Sequence, residues 1–483
     1  MKKNKRLLWL GLFCLASQAM AQEVPAEDLV GIYELATKND QQIAAAEQQM
    51  YAGKEYLPQG RALLLPYVGV DANFNYNNLD ANPHGNTFPR TIPLTYSNGD
   101  PIVDPRTGQP IQLNFPRNVG GQDGGRQQWN NWGAGLNFIQ PIYNRQNIAR
   151  FQQSKIQALQ AETDYENAKQ YLMLRVAQAY FNILLAQDNI AFAQAQMATL
   201  KEDYERAKTS FEVGTATIVD QDEALARYDQ ARADEIAARN ALQIAKDQLA
   251  QLIGQLPANL ARLSDPERFP LHPPIPDDIT HWENLAQEGN FNYILAQQNI
   301  GIAKEQVAFA KGERHPTLDF VGRYAYADAD GGQQGIGAET KLGTVGVQFN
   351  MPIYAGGAIS SRIRQAIDLF EASRHQLEDA RRGAILQAQT AFLNVTNGLS
   401  RVQALRQALE SSQVALDSTR LGFEVGVRTN VDVLNAESIV YNNRRALADA
   451  TYRYLQDTLQ MKYAIGALIP GDMEAINRLL SAR

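Results

Sequence analysis

Two aspartates hold matching places in the chain. Asp220 closes the phrase FEVGTATIVD, which begins at Phe211, and Asp432 closes FEVGVRTNVD, which begins at Phe423. A repeated carboxylate raises two chemistries, proton transfer beside a partner base and charge pairing with a cation. The company needed for the first is missing. The five histidines, His84, His272, His281, His315 and His375, are scattered, and no HExxH occurs. The G-x-S-x-G nucleophile elbow is absent as well. Asp222 and Glu223, close to Asp220, fall in a helical pattern and fit a wet helix face. No catalytic residue, metal site or cofactor is expected, and the chain is not expected to be an enzyme.

The bulk properties narrow the setting. The 483 residues carry a formal charge of −7. The first residues, MKKNKRLLWLGLFCLASQAMAQ, have a basic start, an apolar middle and an Ala-x-Ala site, which predicts a signal peptide over 1–21 and a mature start at Gln22. Loss of Lys2, Lys3, Lys5 and Arg6 then takes the charge from −7 to −11. The lone cysteine, Cys14, lies in that segment, so no disulfide or thiolate metal site is expected beyond it. No later stretch is apolar over the ~18 residues that a membrane helix needs. The acidity argues against a nucleic-acid partner.

The matching phrases belong to a longer internal repeat. QPIY at Gln140 answers MPIY at Met351. Pro141 to Gly214 is 73 residues and Pro352 to Gly426 is 74; Gly214 to Gly254 and Gly426 to Gly466 are both 40. The first copy holds a Gly/Pro/Asn-rich insertion, which predicts a long loop over 77–127. The halves run from 22 to 253 and from 282 to 466. A linker is expected over 254–281 and a C-terminal segment over 467–483.

Each half carries a long heptad pattern. From Leu172 the a and d places are Leu172, Val176, Ala179, Ile183, Ala186, Ile190, Ala193, Met197, Leu200, Tyr204, Ala207 and Phe211, all apolar. In the second half they run from Ala384 to Phe423, with Ser412 and Thr419 the two hydroxylic exceptions. A sustained 3.5-residue period implies left-handed coiling of paired helices. Long helices, tunnel helices if the chain is a channel, are expected over 144–253 and 355–466. Gly214 and Gly426 stand where each long helix must reverse. On the helices alone an ordinary coiled-coil rod suffices.

Four short segments do not fit a rod. Strands are expected near 66–77, 128–141, 316–327 and 342–352. Val68, Val70, Ala72, Phe74 and Tyr76 alternate with polar or small residues, as do Trp132, Ala134, Leu136 and Phe138. Leu318, Phe320, Tyr324 and Tyr326, and then Val345, Val347, Phe349 and Met351, form the matching sets. One apolar and one polar face per strand suits an outer-membrane barrel, although a soluble sheet with one wet face alternates in the same way. Four strands cannot close a barrel, for which ~8 is the minimum. In lipid, several chains would have to share one.

The duplicated strand–helix unit, the paired PIY entries and the twin FEVG phrases together resemble the TolC family of outer-membrane channel proteins, over essentially the whole mature chain. The resemblance implies a mostly α fold with a membrane β-barrel. In it a trimer shares a twelve-stranded barrel, four strands per chain, that continues into a long α-helical coiled-coil tunnel. It implies an exit duct of a tripartite efflux or type I secretion system in the outer membrane of a Gram-negative bacterium, with most of the chain in the periplasm. The partners implied are two further copies, a periplasmic adaptor, an inner-membrane RND or ABC-type pump and outer-membrane lipid. A periplasmic structural coiled coil and a general-diffusion porin are the alternatives.

The resemblance also assigns residues. The turns Val213-Gly214-Thr215 and Val425-Gly426-Val427 would dock the adaptor. Asp432 would face the axis in a ring of three carboxylates that raises its own pKa and attracts cations. Relatives carry a second aspartate where this chain has Asn435, so the expected field is weaker. Asp220 matches a carboxylate that holds the gate against an arginine, here Arg428. The family's gate-side tyrosine and threonine are Phe423 and Val219 here, which leaves the Asp220–Arg428 pair to carry more of the closed state.

Overall fold

A computed structural model describes residues 28–81, 90–96, 99–115, 125–256, 260–263, 271–331, 337–478 and 480–481. The expected signal segment lies outside the described residues. In chain order the elements are α1 (Leu29–Asn39), α2 (Gln41–Lys54), α3 (Tyr56–Ala62), β1 (Tyr67–Ala81), β2 (Arg90–Pro93), β3 (Gln112–Phe115), β4 (Gly125–Tyr143), α4 (Arg145–Glu212) and α5 (Ile218–Ile253). They continue with β5 (Arg262–Leu263), α6 (Ile279–Gly289), α7 (Phe291–Gly312), β6 (Thr317–Ala329), β7 (Ala338–Asn350), α8 (Ala358–Glu424), α9 (Asn430–Ala464), α10 (Pro470–Asn477) and β8 (Leu480–Ser481). The chain folds as two compact units. One comprises residues up to Glu55, Ile156–Gly301 and Glu371 onward; the other comprises Tyr56–Lys155 and Ile302–Phe370.

The second unit contains the sheet, in the order β1-β4-β6-β7, with every neighbouring pair antiparallel. The register explains the alternation in sequence. Val68 pairs with Phe138, Val70 with Leu136 and Phe74 with Trp132; Leu136 pairs with Tyr324, Phe320 with Val347 and Leu318 with Phe349. Because side chains alternate with period two, all of these fall on one face. Trp132 packs on Tyr326 with ring centres 5.0 Å apart, and Phe138 meets Phe320 edge-on at 5.9 Å. The opposite face is polar. Asn137 donates to Asp71, and Arg323 Nη2 lies 3.6 Å from Asp71 Oδ2. The apolar face is bare: Val70 is 78% exposed and Val345 75%.

On the loop side the strands run beyond the sequence expectation, whereas β7 stops at Asn350, short of the expected 352. β1 runs to Ala81 and β4 starts at Gly125, so both extend into the stretch expected as loop. Within that stretch β2 pairs with β3, and Thr95 bridges Pro101. Backbone pairing there needs no apolar alternation, so the Gly/Pro composition conceals it. Pro141 lies inside β4, where the register shifts between Pro141 and Tyr143. Proline lacks the ladder donor, and a bulge accommodates that loss.

The first unit is mostly helical and holds α4 from Ile156 and α8 from Glu371 onward. In full, α4 has 68 residues and α8 has 67, each about 100 Å long at 1.5 Å per residue. Of the heptad places, Leu172, Val176, Ala179, Ile183, Ala186, Leu200 and Ala207 are buried, as are Ala384, Ala388, Ala391, Val395, Val402, Leu409, Ser412 and Leu416. The main core surrounds the middle of α4. Tyr180 and Phe181 are fully buried there, beside Leu29 and Ile32 of α1, Leu249 of α5 and Leu459 of α9. Tyr180 satisfies its hydroxyl by donating to Ala261 O at 2.6 Å, as a buried phenol must.

Candidate functional site: the two helix reversals

α4 ends at Glu212 and α5 begins at Ile218; α8 ends at Glu424 and α9 begins at Asn430. The five residues between do the same thing in both halves. Gly214 and Gly426 both have φ of 78°, a left-handed conformation that glycine reaches without a Cβ clash. Gly214 N donates to Phe211 O at 3.0 Å and Thr215 N to Ser210 O at 2.8 Å. In the second half, Gly426 N donates to Phe423 O at 3.0 Å and Val427 N to Gly422 O at 2.9 Å. Both helices therefore close by a Schellman arrangement, which satisfies carbonyls the helix end would leave unpaired.

The next helix opens by an equally repeated device. Thr217 Oγ1 accepts from Asp220 N and Thr429 Oγ1 from Asp432 N, both at 3.2 Å. In return Asp220 Oδ2 accepts from Thr217 N at 3.0 Å and from its hydroxyl at 2.7 Å. Asp432 Oδ2 accepts from Thr429 N and its hydroxyl, both at 2.9 Å. Each pair is a capping box. Hydrogen bonds to a carboxylate favour its charged form. The Thr217 hydroxyl, and then its N–H, hold Asp220 below the usual carboxylate range. For Asp432 the Thr429 N–H acts first, then the hydroxyl, then the charge of Arg428, so within one chain its carboxyl is lowered, opposite to the rise expected of a carboxylate ring. The threonines are the residues that sequence reasoning missed, although T-x-x-D before a helix is a capping signal and stands in both phrases.

The remaining sequence-derived residues spread around these caps. Asn435 is exposed and accepts from Arg227 Nη2 at 2.8 Å, which ties α9 to α5. Arg227 also lies 3.6 Å from Glu223. Phe423 is half-buried against the main core, whereas Val219 is exposed. Arg428 is exposed, with its stem over Gly422. Among the described residues of one chain, no ion pair joins Arg428 to Asp220. Val213 and Val425 occupy equivalent places and are 69% and 66% exposed; Val427 is 75% exposed. Two turns or more from the reversals lie two buried acids that sequence reasoning did not single out, Asp203 and Glu437, the latter paired with the exposed Arg420.

The chain matches the family model described as outer membrane efflux protein over residues 32–255 and 283–467. It belongs to that family. The two matched stretches correspond to the two halves of the repeat, each with two strands of the four-stranded sheet and one FEVG reversal. Among relatives, outer membrane protein TolC of Vibrio cholerae is 30% identical over 460 residues, covering 95% of each chain. The alkaline protease secretion protein AprF of Pseudomonas aeruginosa is 28% identical over 480 residues, covering 99% of this chain and 92% of its own. Among solved structures, the outer membrane protein VceC of Vibrio cholerae superposes with a TM-score of 0.70 at 17% identity, over 91% of this chain and 96% of that one. As a member of the outer membrane efflux protein family, the chain is an outer-membrane channel protein of export.

Proposed function

We propose that three copies of this chain close one twelve-stranded barrel and form the outer-membrane exit duct of a tripartite efflux or type I secretion system. The observation that carries the proposal is the open sheet. Its edges, β1 and β7, have no further strand among the described residues, and one whole face exposes Val68, Val70, Phe74, Val345, Val347 and Phe349. In lipid an unpaired edge costs several kcal/mol per backbone group, so β1 of one copy is expected to pair with β7 of the next. The polar face, with Asp71, Asn137 and Arg323, then lines the water-filled bore. A periplasmic rod would account for the helices and leave that apolar face in water.

The same reading gives the helix reversals their roles. The exposed valines beside Gly214 and Gly426 offer a periplasmic adaptor two equivalent apolar knobs, and the adaptor in turn engages an inner-membrane pump of RND or ABC type. Asp432 and Asn435 line the gate ring. Asp220, Val219 and Phe423 with Arg428 hold it shut through contacts between copies. The halves 22–253 and 282–466, the linker 254–281 and the segment 467–483 form the repeating wall and its equatorial girdle.

Paired cysteines test the shared barrel. Val70→Cys is combined in turn with Val345→Cys, Val347→Cys and Phe349→Cys, and the protein is oxidised in outer membranes. One combination should give a covalent trimer on a denaturing gel. Monomers from every combination, together with a monomeric protein that stays soluble without detergent, would defeat the proposal.

A further inference from the structure

Asp203 and Glu437 are 7% and 2% exposed, in a chain whose other acids mostly lie in solvent. They stand on different helices near the reversals, Asp203 nine residues before the end of α4 and Glu437 seven residues into α9. Arg420, four residues before the end of α8, donates from Nη2 to Glu437 Oε1 at 2.6 Å. Arg206 Nη1 stands 3.5 Å from Asp203 Oδ1, with its own side chain 63% exposed. Asp203 Oδ2 and Glu437 Oε2 are buried with no donor among the described residues. The two carboxyls nevertheless lie within hydrogen-bonding reach of each other.

That arrangement is unsatisfied only while both groups are ionised. Two carboxylates are acceptors alone and cannot bond; a carboxyl and a carboxylate can. The surroundings make a second charge expensive. One turn from each acid along its helix, Leu200 and Leu434 pack with Ala231 and Tyr228 of α5, and Tyr204 stacks on Tyr228. The charged groups around the pair are Arg206 on α4, Arg420 with Asp417 on α8, and Glu437 on α9. From α5, Arg227 and Glu223 turn instead to Asn435 and to each other. Burial first, and then the charge of Glu437, pushes the Asp203 carboxyl up to about 6, against the pull of Arg206 and Arg420.

We propose that Asp203 and Glu437 form a proton-binding site, in which one proton shared between two carboxyls ties α4 to α9 and holds the helix reversals in the closed arrangement. Release of that proton to solvent leaves two buried carboxylates, one on Arg420 and the other beside the solvent-exposed Arg206, with two buried oxygens lacking a donor, and the helices separate. The inference rests on the reversals being the gate of an export channel. A raised acid stabilises the packed arrangement fully below the ordinary value of 3.8, and that stabilisation is lost as pH rises through about 6. The span between the two values sets an upper limit of roughly 100-fold on the change in closed-to-open ratio.

Full-length protein in planar bilayers tests this. Open probability should rise up to roughly 100-fold as pH climbs through about 6. Asp203→Asn, which keeps a donor toward Glu437 at every pH, should hold the channel in its acid-pH behaviour throughout. Its melting temperature should match the wild type at about pH 5 and exceed it at about pH 8. Infrared difference spectra should show a protonated-carboxyl band that disappears near pH 6 in the wild type and is missing in Asp203→Asn. An unchanged pH response in Asp203→Asn, its loss only in Asp432→Asn, or a spectrum without that band would overturn the proposal. Protein that forms no channel at any pH would refute the gate reading instead, and the infrared titration would still judge the proton site.

Discussion

Arg175 of α4 and Asp40, between α1 and α2, form an ion pair with Nη2 2.6 Å from Oδ2, and Asp40 is 3% exposed. The other oxygen of the same carboxylate caps α2, accepting from Gln42 N and Ile43 N, both at 2.9 Å. Arg175 Nη1 donates to Gln42 Oε1 as well. One carboxylate thus fixes both the start of α2 and its docking on α4. Removing only the cation strands a buried charge, which is the costly way to break such a pair. Arg175→Met is expected to destabilise the protein by about 3–5 kcal/mol. Asp40→Asn, which retains an oxygen for the cap, should cost less. Thermal unfolding of the two variants in the same detergent checks the order.

The capping boxes predict matched effects in the two halves. Thr217→Ala and Thr429→Ala should each cost about 1 kcal/mol. Asp220 and Asp432 titrate below their ordinary 3.8 in the folded chain. Their contribution is therefore complete above that value and fades as pH falls below about 4. Amide hydrogen exchange at the first turns of α5 and α9 should accelerate in that acid window in the wild type. Neither threonine variant should show the added acid sensitivity in its own half.

Two glycines with similar backbone angles should respond very differently to alanine. A Cβ at Gly426 would have nothing within 4 Å, so Gly426→Ala meets only the left-handed backbone strain, about 1–2 kcal/mol. A Cβ at Gly466 would lie 2.0 Å from Gly289 O, while one at Gly289 would lie 2.2 Å from Ile465 O. Backbone cannot move aside as a side-chain tip can. Gly466→Ala should therefore fold poorly or assemble into few stable channels, which yield and melting temperature will show.

Asn435→Asp replaces an amide acceptor by a carboxylate opposite Arg227. Both partners are at least partly exposed, so the ion pair should add less than about 1 kcal/mol. Its larger effect belongs to the assembled channel, where one further carboxylate per copy should raise cation selectivity. Reversal potentials across a salt gradient measure this. A shift toward anions would contradict the placement of Asn435 on the gate ring.

How far the sequence disclosed these features depended on whether the governing contact was local or between helices. The strands were legible because one buried or lipid-facing side forces a period of two, and Val68 to Tyr76 keep it without a break. The glycines at 214 and 426 were legible because few residues tolerate their backbone angle. Their caps are equally local, since T-x-x-D stands in both phrases, but a repeated Asp signals charge as readily as it signals a cap. Asp203 could not be found that way. It falls outside the a and d places, and on a lone helix such an acid belongs in water. Only the approach of α8 and α9 encloses it.

The matched closure of the two hairpins makes their ten-residue tips exchangeable cassettes. A chimera with residues 211–220 and 423–432 swapped should reverse direction as readily in either setting, because glycine, threonine and aspartate keep their offsets. What the swap would transplant is the outward decoration alone, so a hybrid that folds can report which of the two loops a partner distinguishes.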